Sequence, residues 1–216
     1  TDMIEYAWQM TNDQLAGVTP KTPDFETTIA AFVADIADQQ TGSLPELEKA
    51  ALAHDVTFLG HDGGVSVGLG TGCVLWADGD VPSVAEIDWS RVHDVPVALV
   101  TGTNGKSTTV RLAAAIGAAA GQVVGLSSSD WVKVGGDIVD EGDYSGPAGA
   151  RLAVRDSRVE LAVIETARGG LMRRGLPLPR ADACLITNIA ADHLGDYGIN
   201  DVPALADAKF LVARAV

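Results

Sequence analysis

The spacing of apolar positions changes in character near residue 95. Before it, Ile29, Phe32, Val33, Ile36 and Ala37 recur at helical intervals, which predicts an amphipathic helix over residues 24–40 with Asp24 as its cap. A second helix fits residues 44–54, with Pro45 in its first turn. Residues 56–59, 65–68 and 73–76 read as short strands between Gly-rich turns. Beyond residue 95 the pattern becomes one of alternating strands and helices. Val97-Ala98-Leu99-Val100 is an unbroken apolar run, as expected of a strand buried on both faces. A Gly-rich turn follows, then an Ala-rich helix over 106–120 closed by Gly121. Further strands are expected at 123–126, 161–164 and 183–186, a hairpin over 131–139 centred on Gly135-Gly136, and helices over 147–154 and 202–215.

This alternation predicts an α/β fold: a P-loop-type parallel sheet flanked by helices, preceded by a small α+β segment. The expected division is an N-terminal segment, residues 1–95, and a second domain, residues 96–216. Four parallel strands are few beside the roughly five or six of an average sheet. The chain also ends at Val216 directly after a helix, without a Gly cap or a returning strand. Both features lead us to expect a C-terminally truncated member, or a fragment, of a longer protein.

Charge sharpens the division. Residues 1–95 carry 16 acidic against 3 basic side chains, and residues 96–216 carry 13 against 12. The first segment would repel nucleic acid and anionic membrane; a solvated acidic surface accounts for it more readily than a docking face does. The nearly neutral second part is where a bound polyanion is tolerated. Apolar residues make up 47% of the chain and charged residues 20%, which excludes a largely disordered chain. No apolar run reaches the roughly 18 residues of a membrane span. The two cysteines, Cys73 and Cys184, cannot build a disulfide framework, and no secretory signal opens the chain, so the expected setting is cytoplasmic.

Three polar motifs each follow a predicted parallel strand. Gly102-Thr103-Asn104-Gly105-Lys106-Ser107-Thr108 lies between a strand and a helix, as a phosphate loop must. Its glycines admit phosphate oxygens to the backbone N–H groups, and the helix N-terminus adds unsatisfied donors. Lys106 can reach terminal phosphates and Ser107 can ligate Mg²⁺. The loop is a shortened variant, because Val100 stands where the full pattern has glycine. Glu165-Thr166-Ala167-Arg168-Gly169-Gly170 places a carboxylate at the carboxyl end of a strand, where open parallel sheets bind ligands. Alone, Glu165 reads equally as a Mg²⁺ ligand or as a capping or ion-paired acid. In Thr187-Asn188-Ile189-Ala190-Ala191-Asp192-His193-Leu194, Asn188 offers an amide for a base edge or polar substrate, and His193 is either a metal ligand or a turn residue.

Taken in order, GTNGKST, ETARGG and TNIAADHLG resemble the central ATPase domain of the Mur ligases, most of all the Mur-ligase-like module of the cyanophycin synthetases. The similarity extends to Glu141-Gly142-Asp143-Tyr144-Ser145-Gly146-Pro147, to Ala150-Arg151 and to the 16-residue interval from His193 to Lys209. It covers roughly residues 96–214. The resemblance implies an ATP-dependent ligase that activates a small-molecule or peptide carboxylate as an acyl phosphate for attack by an amine such as an amino acid. It implies that Gly102, Thr103, Asn104, Gly105, Lys106, Ser107 and Thr108 hold the phosphates and that Asn188 lies beside the nucleotide. Ser107, Glu165 and His193 would ligate Mg²⁺, and Lys106, Glu165, His193 and Lys209 would serve catalysis. Lys209 stands where many Mur ligases carry a carbamylated lysine; the spacing here, nearer the cyanophycin type, gives no ground for asserting that modification. Arg168 and residues 145–151 are candidates for an acidic substrate, or are plain surface arginine and loop. Trp131 stands where relatives usually have glycine and is expected to reshape the substrate loop. Self-association is left open, and neither nucleic acid nor membrane is an expected partner.

Other classes fit less well. A non-catalytic nucleotide-binding or regulatory module is the main competitor. A P-loop hydrolase or kinase lacks the usual strand-terminal Asp. Ser127 to Ser129 lack a nucleophile-elbow context, Cys184 reads as a small core residue, and His54, His61 and His93 have no metal-ligand spacing.

Overall fold

The computed structural model describes residues 2–17, 26–33, 43–60, 64–77, 80–192 and 194–216. Contacts divide the chain into two compact units, Thr1–Leu47 and Glu48–Val216. The first holds α1 (Asp2–Leu15), which the apolar pattern did not predict, and a helix α2 at 26–33. Of the helix expected over 24–40, the remaining residues, including Asp24, Ile36 and Ala37, lie outside the described residues. Helix α3 (Ser43–Ala53) spans the division.

In the second unit, β1 (Phe58–Leu59), β2 (Val65–Val67) and β3 (Val74–Trp76) form a small antiparallel sheet. Arg155 ties it down: its Nη2 donates to Leu59 O at 3.0 Å and Gly64 O at 2.9 Å, and its Nε to Ser66 Oγ at 3.1 Å. Leu59, Leu69 and Val95 share a core cluster with the larger sheet.

That larger sheet has six strands in the order β7-β6-β5-β8-β4-β9. They are β4 (Val97–Thr101), β5 (Val124–Ser127), β6 (Trp131–Val134), β7 (Asp137–Glu141), β8 (Leu161–Glu165) and β9 (Ala183–Ile186). β5, β8, β4 and β9 are mutually parallel, the α/β arrangement that the apolar runs predict. The Gly135-Gly136 hairpin is not a separate feature: β6 pairs antiparallel with β5 and carries β7 outward, which brings the sheet to a normal width.

Alternation along the strands feeds two cores. Val100, Val124, Leu126 and Val163 face Val110 and Ala114 of α4 (Lys106–Ala119). Val97, Leu99, Ala162 and Ile164 face the other way, onto Ala150, Ala153 and Val154 of α5 (Pro147–Val154). α4 ends in a Schellman arrangement, with Gly121 at φ +87°, Gln122 N–H donating to Gly117 O at 3.1 Å and Gly121 N–H to Ala118 O at 3.0 Å. α6 (Arg168–Arg174) follows β8, and α7 (Val202–Phe210), capped by Asp201 onto Ala204 N–H at 2.8 Å, runs into a 3-10 turn over Leu211–Ala215. No helix among the described residues is long and apolar enough to cross a membrane. The parallel strands deliver residues 102–105, 128–130, 166–167 and 187–190 to one edge of the sheet.

Ile164 is 0% exposed on a central strand, whereas Leu185 is 46% exposed on edge strand β9. Ile164→Ala is expected to cost about 2–5 kcal/mol. Leu185→Ala should cost less than about 0.5 kcal/mol. Urea unfolding of the two variants separates them.

Candidate active site

The loop after β4 is shaped by the loop after β9. The ladder between those strands runs past their ends: Thr187 N–H donates to Thr101 O at 2.9 Å and Thr103 N–H to Asn188 O at 2.9 Å. Side chains complete the mesh. Thr187 Oγ1 donates to Asn104 O at 2.7 Å, and the Asn188 amide both donates to Asn104 O (2.9 Å) and accepts from Asn104 N–H (3.2 Å). Thr103 Oγ1 accepts from Ala190 N–H at 3.1 Å. Two glycines are required for different reasons. A Cβ on Gly102 would stand 1.9 Å from Thr187 Oγ1, while Gly105, the N-cap of α4, has open space around it but needs its left-handed φ of +82°.

Lys106 opens α4 and folds back so that Nζ donates to Thr103 O at 3.0 Å. Thr108 is exposed on the same helix. Ser107 Oγ lies 3.2 Å from Ser129 Oγ, and Ser129 N–H donates to Glu165 Oε2 at 3.2 Å. Ser107 and Glu165 thus meet across Ser129. Glu165 is 2% exposed at the end of β8. A buried carboxylate is costly unless charge or hydrogen bonds compensate it. Among the described residues no set of three His, Cys, Asp or Glu side chains forms a metal cage. Mg²⁺ does not need one; it is commonly held by one or two carboxylates together with substrate phosphates. The oxygen donors of Ser107 and Glu165 fit that pattern. His193 lies outside the described residues.

A cavity of about 220 Å³ opens beside the loop, lined by Gly102, Thr103, Lys106, Arg168, Asp192 and Lys209 among others. Lys209, on α7, is 4% exposed, and its Nζ donates to Gly102 O at 2.8 Å. Burial, with Lys106 and Arg168 adding like charge, pushes Lys209 down to about 8 against the opposing pull of Asp192. Arg168 pairs with Asp196 at 3.1 Å and lies 5.8 Å from the Tyr197 ring centroid. Residues 145–149 line a separate cavity of about 190 Å³ with Arg173 and Arg174, joined to the Glu165 loop where Ala167 N–H donates to Ser145 O at 2.8 Å.

The structure therefore brings together the residues of the loop after β4, Ser107, Glu165, Asn188 and Lys209. Asn188 spends its amide on the loop backbone. Sequence reasoning missed Ser129. The available signal was its place just beyond a parallel strand, the same rule that singled out Glu165 and Asn188. A larger cavity, about 530 Å³, is lined by His54, His93, Arg180 and Asp182 and contains none of these residues. There His54 stacks on Trp89 with centroids 4.3 Å apart, and His93 Nε2 meets Thr71 Oγ1 at 3.2 Å, which accounts for both rings without a metal.

The sequence profile of the Mur ligase middle domain matches residues 100–214, so the chain belongs to the Mur ligase family. Cyanophycin synthetase of Crocosphaera subtropica is 46% identical over 122 residues, which cover 56% of this chain and 14% of that protein. UDP-N-acetylmuramoylalanine–D-glutamate ligase of Nocardia farcinica is 34% identical over 146 residues, 66% of this chain and 26% of that one. The solved structure of UDP-N-acetylmuramoyl-L-alanyl-D-glutamate–2,6-diaminopimelate ligase matches with a TM-score of 0.48 at 22% identity, over 56% of this chain and 25% of that one. The chain thus spans about 14% of the length of the cyanophycin synthetases it matches.

The buried Lys209 ammonium carries a pH signature. In the unfolded chain it returns to the ordinary lysine value of 10.5, so between about pH 8 and 10.5 the unfolded state holds a proton that the folded state has lost. Stability contributed at this position therefore rises with pH through that window and is flat below it. The difference in urea-unfolding free energy between the parent chain and Lys209→Met should move in favour of the parent from pH 7 to pH 10. A pH-independent difference contradicts the assignment.

Proposed function

We propose that residues 96–216 form the nucleotide-binding part of an ATP-dependent amide ligase, with residues 1–95 as an accessory segment. The observation that carries the reading is the meeting of a phosphate loop, a serine hydroxyl and a buried acid. Lys106 follows the left-handed Gly105 at the start of α4, and Ser107 is linked through Ser129 to Glu165. The name of one relative, UDP-N-acetylmuramoylalanine–D-glutamate ligase, supplies the reaction class.

A carboxylate acylates amines poorly because oxide is a poor leaving group. Transfer of the γ-phosphoryl group of ATP to the substrate carboxylate releases ADP and gives an acyl phosphate; the amine then attacks the acyl carbon and phosphate departs. The work of the protein is alignment and charge neutralisation. Gly105, Lys106 and Ser107, at the start of α4, present backbone N–H groups to the phosphates, while those of Thr103 and Asn104 are held by Asn188. Lys106 exchanges its bond to Thr103 O for a phosphate oxygen. Arg168 and Lys209 line the adjoining cavity, where negative charge develops during transfer. Lys209 also holds Gly102 O and so fixes the entrance to the loop. Ser107 and Glu165, with His193, are the residues to hold Mg²⁺, which when bound supplies neutralising charge on the phosphates. Asn188 acts here through the loop, by fixing Asn104. The acid and the amine are proposed only as classes, a small-molecule or peptide carboxylate and an amino acid.

Calorimetric titration of Mg·ATP into the chain tests the reading. Loss of one charge-assisted contact in Lys106→Ala should weaken binding about 10- to 100-fold. Equal binding by the parent and the variant, or none by a folded parent chain, overturns the assignment.

A further inference from the structure

Ser129 links the phosphate-loop helix to Glu165, and its turn is held from two sides. From within, Ser128, which is 0% exposed, ties the turn to itself: its Oγ accepts from Asp130 N–H (3.3 Å) and Trp131 N–H (3.4 Å), and its N–H donates to Trp131 O at 3.0 Å. From outside, Arg111 pairs with the Asp130 carboxylate. The same guanidinium lies 4.6 Å from the Trp131 ring centroid, and Lys133 Nζ lies 5.0 Å from it. Among the described residues no hydrogen bond reaches the buried Trp131 Nε1. The ring is therefore held by packing and by cations over its π-face, not by its N–H.

Arg111 sits four residues after Ser107 on α4, so both project from one face of that helix. Ser107 touches Ser129 while Arg111 grips the two residues that follow it. One helix face thus holds the whole turn, and the turn in turn holds Glu165.

We propose that Arg111 and Trp131 are positioning residues: they latch the 128–131 turn to the phosphate-loop helix and thereby set the spacing of Ser107, Ser129 and Glu165. Neither touches the nucleotide in this proposal; they act through Ser129. The latch rests on the reading of Ser107 and Glu165 as the Mg²⁺-holding pair for its consequence in binding, but not for its geometry. It assigns a use to the tryptophan at position 131. Removing the ring leaves Arg111 with the ion pair alone, and that pair is about half exposed and so screened by solvent. Phenylalanine keeps the π-face and should keep the latch.

Two measurements on the full chain test this separately. The first reads position without nucleotide. In a chain carrying Ser107→Cys and Ser129→Cys, the engineered disulfide is followed by peptide mass mapping under a fixed glutathione buffer. Adding Arg111→Ala or Trp131→Gly should slow its closure about tenfold, and adding Trp131→Phe should leave it within about twofold. Equal closure rates with and without Arg111→Ala overturn the latch. The second compares ATP affinity in EDTA and in Mg²⁺ by calorimetry, with native serines at 107 and 129. Arg111→Ala should leave the Mg²⁺-free affinity within about twofold and cut the Mg²⁺-dependent gain about tenfold, and Arg111→Lys should recover part of it. A melting temperature lowered with the Mg²⁺-dependent gain intact marks a merely structural contact and overturns the proposal. Slowed closure in a chain whose parent shows no Mg²⁺-dependent gain supports the latch and overturns the Mg²⁺ reading instead.

Discussion

The bonds between the loop after β4 and the loop after β9 are what the rest of the site depends on. The backbone ladder of two parallel strands continues past their ends, through Thr187 onto Thr101 and through Thr103 onto Asn188. Side chains of Thr187 and Asn188 then take up the polar groups of Asn104 that the ladder leaves over. The contact is so close at Gly102 that no side chain fits between the loops. The reach of Lys106, the left-handed start of α4 and the bond from Lys209 to Gly102 O all inherit their geometry from this seam. Two loops far apart in sequence behave here as one rigid object, because each satisfies the backbone donors and acceptors of the other.

The electrostatics run against the chain as a whole. Its formal charge is −14, yet Lys106, Arg168 and Lys209 gather around one cavity, with Asp192 the acidic side chain in its lining. Burial, with like charge beside it, lowers the proton affinity of Lys209 there. A polyanion entering the cavity opposes that shift.

Much of this was legible in the residues. Apolar runs placed β4 and β8 because strands buried on both faces read as near-continuous apolar runs; they also placed β9, which lies half exposed at the sheet edge, and the Gly-rich turn after β4 was legible because Gly102 and Gly105 have positive φ. The hairpin strands were legible as a pair but not as part of the sheet: Val132 and Val134 alternate with polar neighbours, and nothing local says which sheet edge will accept them. α6 was not expected because Gly169 and Gly170 are poor helix formers, and the segment is held by what surrounds it. Ser129 went unnoticed because half of its link is a backbone N–H, which every residue but proline possesses, and its hydroxyl meets Ser107 only in the folded chain. Lys209 could be singled out by family resemblance, but its bond to a carbonyl 107 positions earlier is a fact of tertiary structure.

The family profile begins at residue 100, but the apolar interior does not. Leu59, Leu69 and Val95 supply part of the core beneath the large sheet, and Arg155 reaches back to bond Leu59 and Ser66 of the small one and Gly64 beside it. The family profile and the apolar core therefore mark out different lengths of chain. The small sheet thus closes one wall of the large sheet's core, and a chain cut at residue 96 would open that wall to water.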